Sequence, residues 1–110
     1  MRPGDVVEVD FGIPLGSEGG FRRPAIVVTS SLIMQVDPAT FQVVPMTTNV
    51  KRDLPYELRL DSWEPASAAQ CHLVTTIDRA ALTGTMFGRI TTTDLRKIRE
   101  LLRDILDLED

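Results

Sequence analysis

The hydrophobic positions of this chain follow two periods, one typical of strands and one typical of a helix. Up to residue 90 they form short runs bounded by Gly, Pro, Asn and Asp, which predicts five to seven β-strands. From Thr91 to Leu108 they recur along one face of an amphipathic α-helix. Strands followed by one helix favour a small, strongly curved antiparallel barrel with a packed C-terminal helix. The strand patterns occupy residues 5–11, 24–30, 41–48, 56–60, 68–78 and 81–90.

Some residues predict where these elements end or become irregular. Pro45 lies inside the third strand pattern, which predicts an edge strand or a bulge because proline has no N–H to donate. Within SSLIMQVDPAT at 30–40, a short helical turn followed by an Asp-Pro turn is expected. Thr91, Thr92 or Thr93 can cap the C-terminal helix, with Asp94 well placed in its first turn.

Composition indicates one globular domain spanning residues 1–110. Hydrophobic residues make up 43% and charged residues 25%, which are ordinary values for a folded domain with one core. The single cysteine excludes an intramolecular disulfide. The chain has neither the apolar stretch of a signal peptide nor one that could span a bilayer, so we expect a cytoplasmic protein with no membrane association.

The charge balance is acidic, and this bears on which partners are possible. The formal net charge is −4, from 12 basic and 16 acidic residues. That disfavours long, non-specific binding to nucleic acid. Residues 1–60 carry six basic and seven acidic groups, whereas residues 61–110 carry six and nine. The first part can therefore hold a local basic groove for a short single strand, built from Arg22, Arg23, Lys51 and Arg52.

Few residues offer catalytic chemistry. The sequence has no phosphate-binding glycine motif and no HExxH, and its carboxylates do not cluster, so we expect neither a metal nor a cofactor. His72 and Cys71 are interpreted as structural, since neither has a suitable partner in the pattern. Arg23 is a better candidate, because Pro24 favours an extended backbone there and a guanidinium binds phosphate well. Thr47, Thr48 and Asn49 close the next strand with hydroxyl and amide groups.

Five segments in order resemble the MazF/PemK (Kid) family of toxin–antitoxin endoribonucleases. They are GDVVEVDFG at 4–12, PLGSEGGFRRPAIVVTS at 14–30, VVPMTTN at 43–49, LP at 54–55 and TIDRAAL at 76–82. The resemblance implies an SH3-like antiparallel barrel of the CcdB/PemK type and a homodimer. It implies metal-independent, sequence-specific cleavage of single-stranded RNA (mRNA, tRNA or rRNA) that leaves a 2′,3′-cyclic phosphate and a 5′-hydroxyl. It also implies a cognate MazE-like antitoxin.

The resemblance further implies roles for individual residues. Arg23 and Thr47 correspond to the catalytic pair, in which Arg23 would stabilise charge on phosphorus and Thr47 would orient the reacting groups. The other residues expected to contact RNA are Gly16, Ser17, Glu18, Arg22, Thr48, Asn49, Lys51, Arg52 and Thr75.

Two positions depart from the family pattern and leave other functions open. Thr75 stands where many relatives have arginine, and Leu73 where they often have glutamine, which affects the expected RNA specificity. The first alternative is a non-enzymatic, CcdB-like toxin that poisons DNA gyrase by binding it. The second is an inert SH3-like interaction module.

Overall fold

Antiparallel strands form most of the molecule. The computed structural model describes residues 1–12, 22–60 and 62–108, and within these it contains seven strands. Two α-helices, α1 (Ser31–Met34) and α2 (Thr92–Ile105), and two 3₁₀ turns, Cys71–Leu73 and Arg79–Ala81, complete the described elements. None of the helices in these ranges is long and apolar enough to cross a membrane. The strands are β1 (Asp5–Asp10), β2 (Arg22–Val27), β3 (Thr40–Thr47), β4 (Glu57–Leu60), β5 (Ser67–Gln70), β6 (Thr75–Asp78) and β7 (Leu82–Arg89).

The strands pair in the order β4–β5–β3–β2–β1–β7, and β6 joins the first half of β3. One edge of β3 pairs with β2, while the other is shared by β6, along Thr40–Val43, and β5, along Met46–Thr47. Pro45 lies where this second edge passes from β6 to β5. The prediction of an edge strand or bulge at Pro45 is therefore wrong. The structure accommodates the proline inside a central strand, at a change of partner.

The same change of partner explains why residues 68–78 do not form one strand, as the pattern predicted. Met46 pairs with Ala69 and Val43 with Thr75, so the five residues 70–74 lie opposite only Val44 and Pro45. The surplus residues are taken up by the 3₁₀ turn Cys71–Leu73.

The expected antiparallel barrel with a C-terminal helix is confirmed, although the sheet does not close. Among the described residues, β4 and β7 end the strand path without pairing to each other. Trp63, which follows β4, crosses this gap. Its ring atoms Cη2 and Cζ3 lie 3.3 and 3.6 Å from the position that a Cβ atom on Gly88 of β7 would occupy. We call this gap between β7 and the β4–β5 connection the seam. The Trp63 side chain bridges it at the place where a closed barrel would have backbone hydrogen bonds.

The sheet packs a cluster of apolar residues on each of its faces, because successive side chains of a strand point to opposite faces. Val6 and Ile26 belong to one cluster with Ile98 of α2, while Val7 and Ala25 belong to a second cluster on the other face. The apolar stripe predicted for α2 is confirmed, since it packs against the first cluster through the partly buried Leu95, Leu101, Leu102 and Ile105.

The ends of α2 follow the expected capping chemistry. The hydroxyl of Thr91 accepts a hydrogen bond from the backbone N–H of Asp94 at 3.0 Å, which confirms one of the three predicted caps. The helix ends at Ile105, three residues before the predicted end, and Asp107 adopts a left-handed backbone with φ of 54°. Acidic residues at the negative end of the helix dipole do not favour another turn.

Candidate active site

A groove of about 410 Å³ lies at the seam. One part of its wall is polar and consists of ends of β2, β3 and β5, while the other part is apolar and comes from β7 and the β4–β5 connection. The polar part contains Arg23, Thr47, Thr48 and Ser67, and the remaining lining residues are Pro24, Met46, Trp63, Glu64, Pro65 and Phe87.

Arg23 is fixed at the polar end of the groove. It lies near the start of β2, in register with Val9 of β1, and only 6% of it is exposed. Its Nη2 donates to the backbone carbonyl of Met46 at 2.7 Å and to Oε1 of Gln70. An arginine keeps its charge throughout the physiological pH range, so these contacts hold a cation in one orientation at the groove wall.

Thr47 is the last residue of β3 and is equally buried, with 6% exposed. Its Oγ1 accepts the backbone N–H of Asn49 at 3.0 Å, which fixes the side-chain rotamer at the strand end. The neighbouring Thr48 is exposed and also lines the groove. The structure therefore brings Arg23, Thr47 and Thr48 together, although they are distant in sequence.

The other residues expected to bind RNA are more dispersed. Gly16, Ser17 and Glu18 lie outside the described residues. Arg22 is exposed at the first position of β2, in register with Asp10 of β1.

Asn49, Lys51 and Thr75 do not line the groove. Asn49 and Lys51 are exposed beyond the end of β3. Thr75 pairs with Val43, four residues from Thr47 along β3, or about 13 Å at the rise of a strand.

Of the four basic residues expected to share one groove, Arg23 lines the groove at the seam, and Arg22, Lys51 and Arg52 do not. Arg52 lines a separate depression with Arg59, and its Nη2 lies 2.8 Å from Oε2 of Glu57. The Glu57 side chain is only 3% exposed, and this carboxylate at the start of β4 binds Arg52 in that depression. The two residues are five positions apart, with Arg52 in the connection before β4 and Glu57 at its first position, and the sequence pattern did not indicate this pairing.

Three residues of the site were missed by sequence reasoning. Gln70 is 1% exposed and contacts Arg23 across 47 positions of sequence. A glutamine within the apolar run AAQC was an available signal, because buried amides need a partner. Trp63 and Phe87 gave no signal of this kind, since Trp63 lies between the strand patterns 56–60 and 68–78 and Phe87 lies inside the pattern 81–90.

Cys71 and His72 occupy positions that suit structural roles. Burial, with the charge of Glu57 as a second cause, raises the pKa of Cys71 to about 12, so its thiol is neutral at physiological pH. Burial also lowers the pKa of His72, against an opposing effect of Glu57. The His72 ring packs edge-on to Tyr56, with ring centroids 4.2 Å apart. Within the described ranges, no group of three or more His, Cys, Asp or Glu side chains is placed to hold a metal ion.

The polar end of the groove is suited to an anion. A fixed guanidinium can stabilise negative charge that develops on a bound group, and a neighbouring hydroxyl can orient that group by hydrogen bonding. Such preorganised donors act strongly because they need no rearrangement during the reaction.

Comparison with known proteins identifies the family. Residues 2–106 match the model of the PemK-like, MazF-like toxin of type II toxin–antitoxin systems. The chain is 27% identical over 115 residues to Endoribonuclease MazF9 of Mycobacterium tuberculosis, and the match covers 98% of each protein.

Solved structures show the same fold. The crystal structure of MazF (Form-I) from Deinococcus radiodurans matches with a TM-score of 0.81 and 22% identity, over 98% of this chain and 97% of that one. An endoribonuclease in complex with its cognate antitoxin from Mycobacterial species matches with a TM-score of 0.79 and 22% identity, over 100% and 98%. The resemblance seen in the sequence is confirmed, because the family model extends over nearly the whole chain: this protein belongs to the PemK-like, MazF-like toxin family of type II toxin–antitoxin systems.

Proposed function

We propose that this protein is an endoribonuclease that cleaves single-stranded RNA at short specific sequences. The observation that carries the proposal is the Arg23 guanidinium, which the Met46 carbonyl and the Gln70 amide hold beside Thr47 in an open groove. A cation and a hydroxyl at one end of a groove match what phosphodiester cleavage requires. The similarity to Endoribonuclease MazF9 supports the same activity.

In the proposed reaction the ribose 2′-oxygen attacks the adjacent phosphorus. The P–O2′ bond forms and the P–O5′ bond breaks, so the products are a 2′,3′-cyclic phosphate and a 5′-hydroxyl. The 2′-oxygen loses a proton and the 5′-oxygen gains one, and this transesterification balances without a metal or a cofactor. Arg23 stabilises the additional negative charge on the phosphate oxygens, and Thr47 orients the phosphate or the 2′-hydroxyl.

The proposal includes two protein partners. One is a second copy of the chain, and the other is a cognate antitoxin whose acidic segment competes with RNA for the cationic end of the groove. A related endoribonuclease has been solved with its cognate antitoxin, which supports the second partner. An RNA substrate and a free thiol at Cys71 are consistent with action in the cytoplasm.

The experiment compares cleavage of a mixed-sequence RNA by the purified protein and three variants, with excess EDTA present. Arg23→Met keeps a side chain of similar length without the charge, and Thr47→Val keeps the shape without the hydroxyl. Arg96→Ala on the exposed face of α2 is the matched control, since its guanidinium lies outside the groove. We expect the wild type and Arg96→Ala to cut RNA, and the two groove variants to be inactive while remaining folded.

Analysis of the RNA ends tests the chemistry separately. Sequencing the fragments that carry a 5′-hydroxyl should reveal the cleavage motif and the class of RNA that is cut. Full cleavage by the Arg23→Met protein would refute the site assignment. DNA damage with intact RNA after expression would instead favour the gyrase poison.

A further inference from the structure

The groove that contains Arg23 and Thr47 also has an aromatic wall. Trp63 and Phe87 line it together with Pro65. Phe87 lies on β7, an end strand, with 45% of its surface exposed. Trp63 is partly buried against the core and still borders the groove. A cation and two aromatic side chains thus face one open space.

Two contacts hold Trp63 in this position. Its backbone N–H donates to the carbonyl of Leu60 at 3.3 Å, which anchors it directly after β4. Its ring lies over Gly88, where a Cβ atom would come within 3.3 Å of Cη2. The glycine therefore allows the indole to approach the backbone of β7. Because the ring is packed on these sides, it presents a preordered surface to the groove.

The size and polarity of the groove select the kind of ligand. A volume of about 410 Å³ falls within the range of about 300–1,000 Å³ typical of pockets for small organic ligands, so it exceeds what a phosphate alone requires. A nucleotide has a charged phosphate and a flat π-face in one unit. Proteins that bind single strands combine these features, with a positive groove along the backbone and aromatic side chains against the bases.

We propose that Trp63 and Phe87 form a base-stacking subsite for the nucleotide next to the phosphate held at Arg23. This inference rests on the proposed function, because it takes the ligand of the Arg23 end to be a phosphodiester. Stacking is tolerant of base identity, since every base has a π-face. The subsite therefore contributes affinity and orientation, and sequence selection depends on other contacts.

Fluorescence can test this subsite directly, because Trp63 is the chain's single tryptophan. The probe is a mixed-sequence pool of eight-nucleotide single strands with deoxyribose sugars, which lack the attacking 2′-hydroxyl and so remain intact. An abasic strand of equal length is the matched control, because it keeps the phosphates and removes the bases. We expect the base-bearing pool to quench Trp63 emission and the abasic strand to leave it unchanged.

Variants measured by RNA cleavage provide the second readout. We expect Trp63→Leu to raise KM about 5- to 150-fold, the range that corresponds to one lost base–aromatic stack, with kcat little changed. Trp63→Phe, which keeps a ring, should lie between this variant and the wild type. If Trp63→Leu fails to fold, Phe87→Leu replaces it as the test variant. Met86→Ala, on the same strand but outside the groove lining, should leave KM unchanged.

The possible outcomes separate this inference from the nuclease proposal. Suppose that the wild type cuts RNA and that the KM values of Trp63→Leu and Phe87→Leu equal the wild-type KM. The stacking subsite is then wrong and the nuclease proposal stands. If the wild type cuts no RNA but bases are needed to quench Trp63, the nuclease is wrong and the subsite stands. Equal quenching by the abasic strand overturns the subsite. The subsite is also overturned if an acidic antitoxin peptide quenches Trp63 and oligonucleotides do not. That result would assign the surface to a protein partner.

Discussion

Replacement of Gln70 by methionine is expected to slow RNA cleavage without preventing RNA binding. The amide of Gln70 accepts a hydrogen bond from Nη2 of Arg23, and both residues are almost fully buried. Methionine has a similar length and no amide oxygen. Gln70 does not line the groove, so we regard it as a positioning residue that acts through Arg23.

The magnitude follows from the kind of bond that is lost. A hydrogen bond with one charged partner contributes about 1.5–3 kcal/mol. If Arg23 needs its orientation only in the transition state, the same free energy corresponds to a decrease in kcat of about 10- to 150-fold. KM should change little, because the Met46 carbonyl still accepts from Arg23 and the charge remains in the groove.

The assay is RNA cleavage under saturating substrate, measured alongside urea unfolding of each protein. Gln42→Met is the matched control. Its amide accepts from Oγ1 of Thr29 at 2.5 Å and donates to Oγ1 of Thr76 at 3.1 Å, on a part of β3 outside the groove. We expect this control to lose about 0.5–1.5 kcal/mol of stability per bond, with kcat unchanged. A wild-type kcat for Gln70→Met, or an equal loss of kcat in both variants, would refute the positioning role.

Three further predictions concern the fold. Thr91→Ala removes the cap that accepts the Asp94 N–H, and should lower the free energy of unfolding in urea by about 0.5–2 kcal/mol. Gly88→Ala should lower the free energy of unfolding by about 1–3 kcal/mol, because Gly88 has φ of 143° and the new Cβ would lie 3.3 Å from the Trp63 ring. A shifted tryptophan emission would report displacement of that ring. The raised pKa of Cys71 means that the unfolded thiol ionises first, so stability is fully present below pH 9.0 and falls as pH rises from there towards about 12. Urea unfolding at a series of pH values tests this, and a thiol reagent at pH 8 should label Cys71 only in the unfolded protein.

Local patterns predicted the elements whose structure is determined by local interactions. The strand that contains Val6 and Val9 and the helix that contains Ile98 form because their apolar residues match the period of the element. The Thr91 cap is equally local, since it joins residues three apart. These features need no knowledge of which strands become neighbours.

The features that sequence reasoning missed depend on register between distant segments or on the path of an irregular connection. Residues 68–78 form two strands and not one because β3 pairs with β6 along its first half and with β5 at its end. This change of partner is not encoded within residues 68–78. The Arg52–Glu57 ion pair is local, but it depends on the irregular connection before β4, whose backbone path follows no sequence period. Arg23 and Thr47 were predicted as candidates through Pro24 and the family resemblance, and the structure places both in one groove, whereas Gln70 depends on a contact that only the folded sheet creates.

The acidic balance of the chain and the proposed RNA substrate are compatible because the charge that would act on RNA is local. Of the described residues that line the groove, Arg23 is the one cation and Glu64 the one carboxylate. Arg23 is buried, where a charge acts through a lower effective dielectric constant than on the solvated surface. Charges on the distant surface, including the acidic excess, are screened by salt over about 10 Å. In the proposed function a single strand would reach this cation at the seam, where β4 and β7 do not pair. The incomplete barrel thus connects the fold with the proposed chemistry: the gap that Trp63 bridges borders the groove in which Arg23 would meet a phosphate.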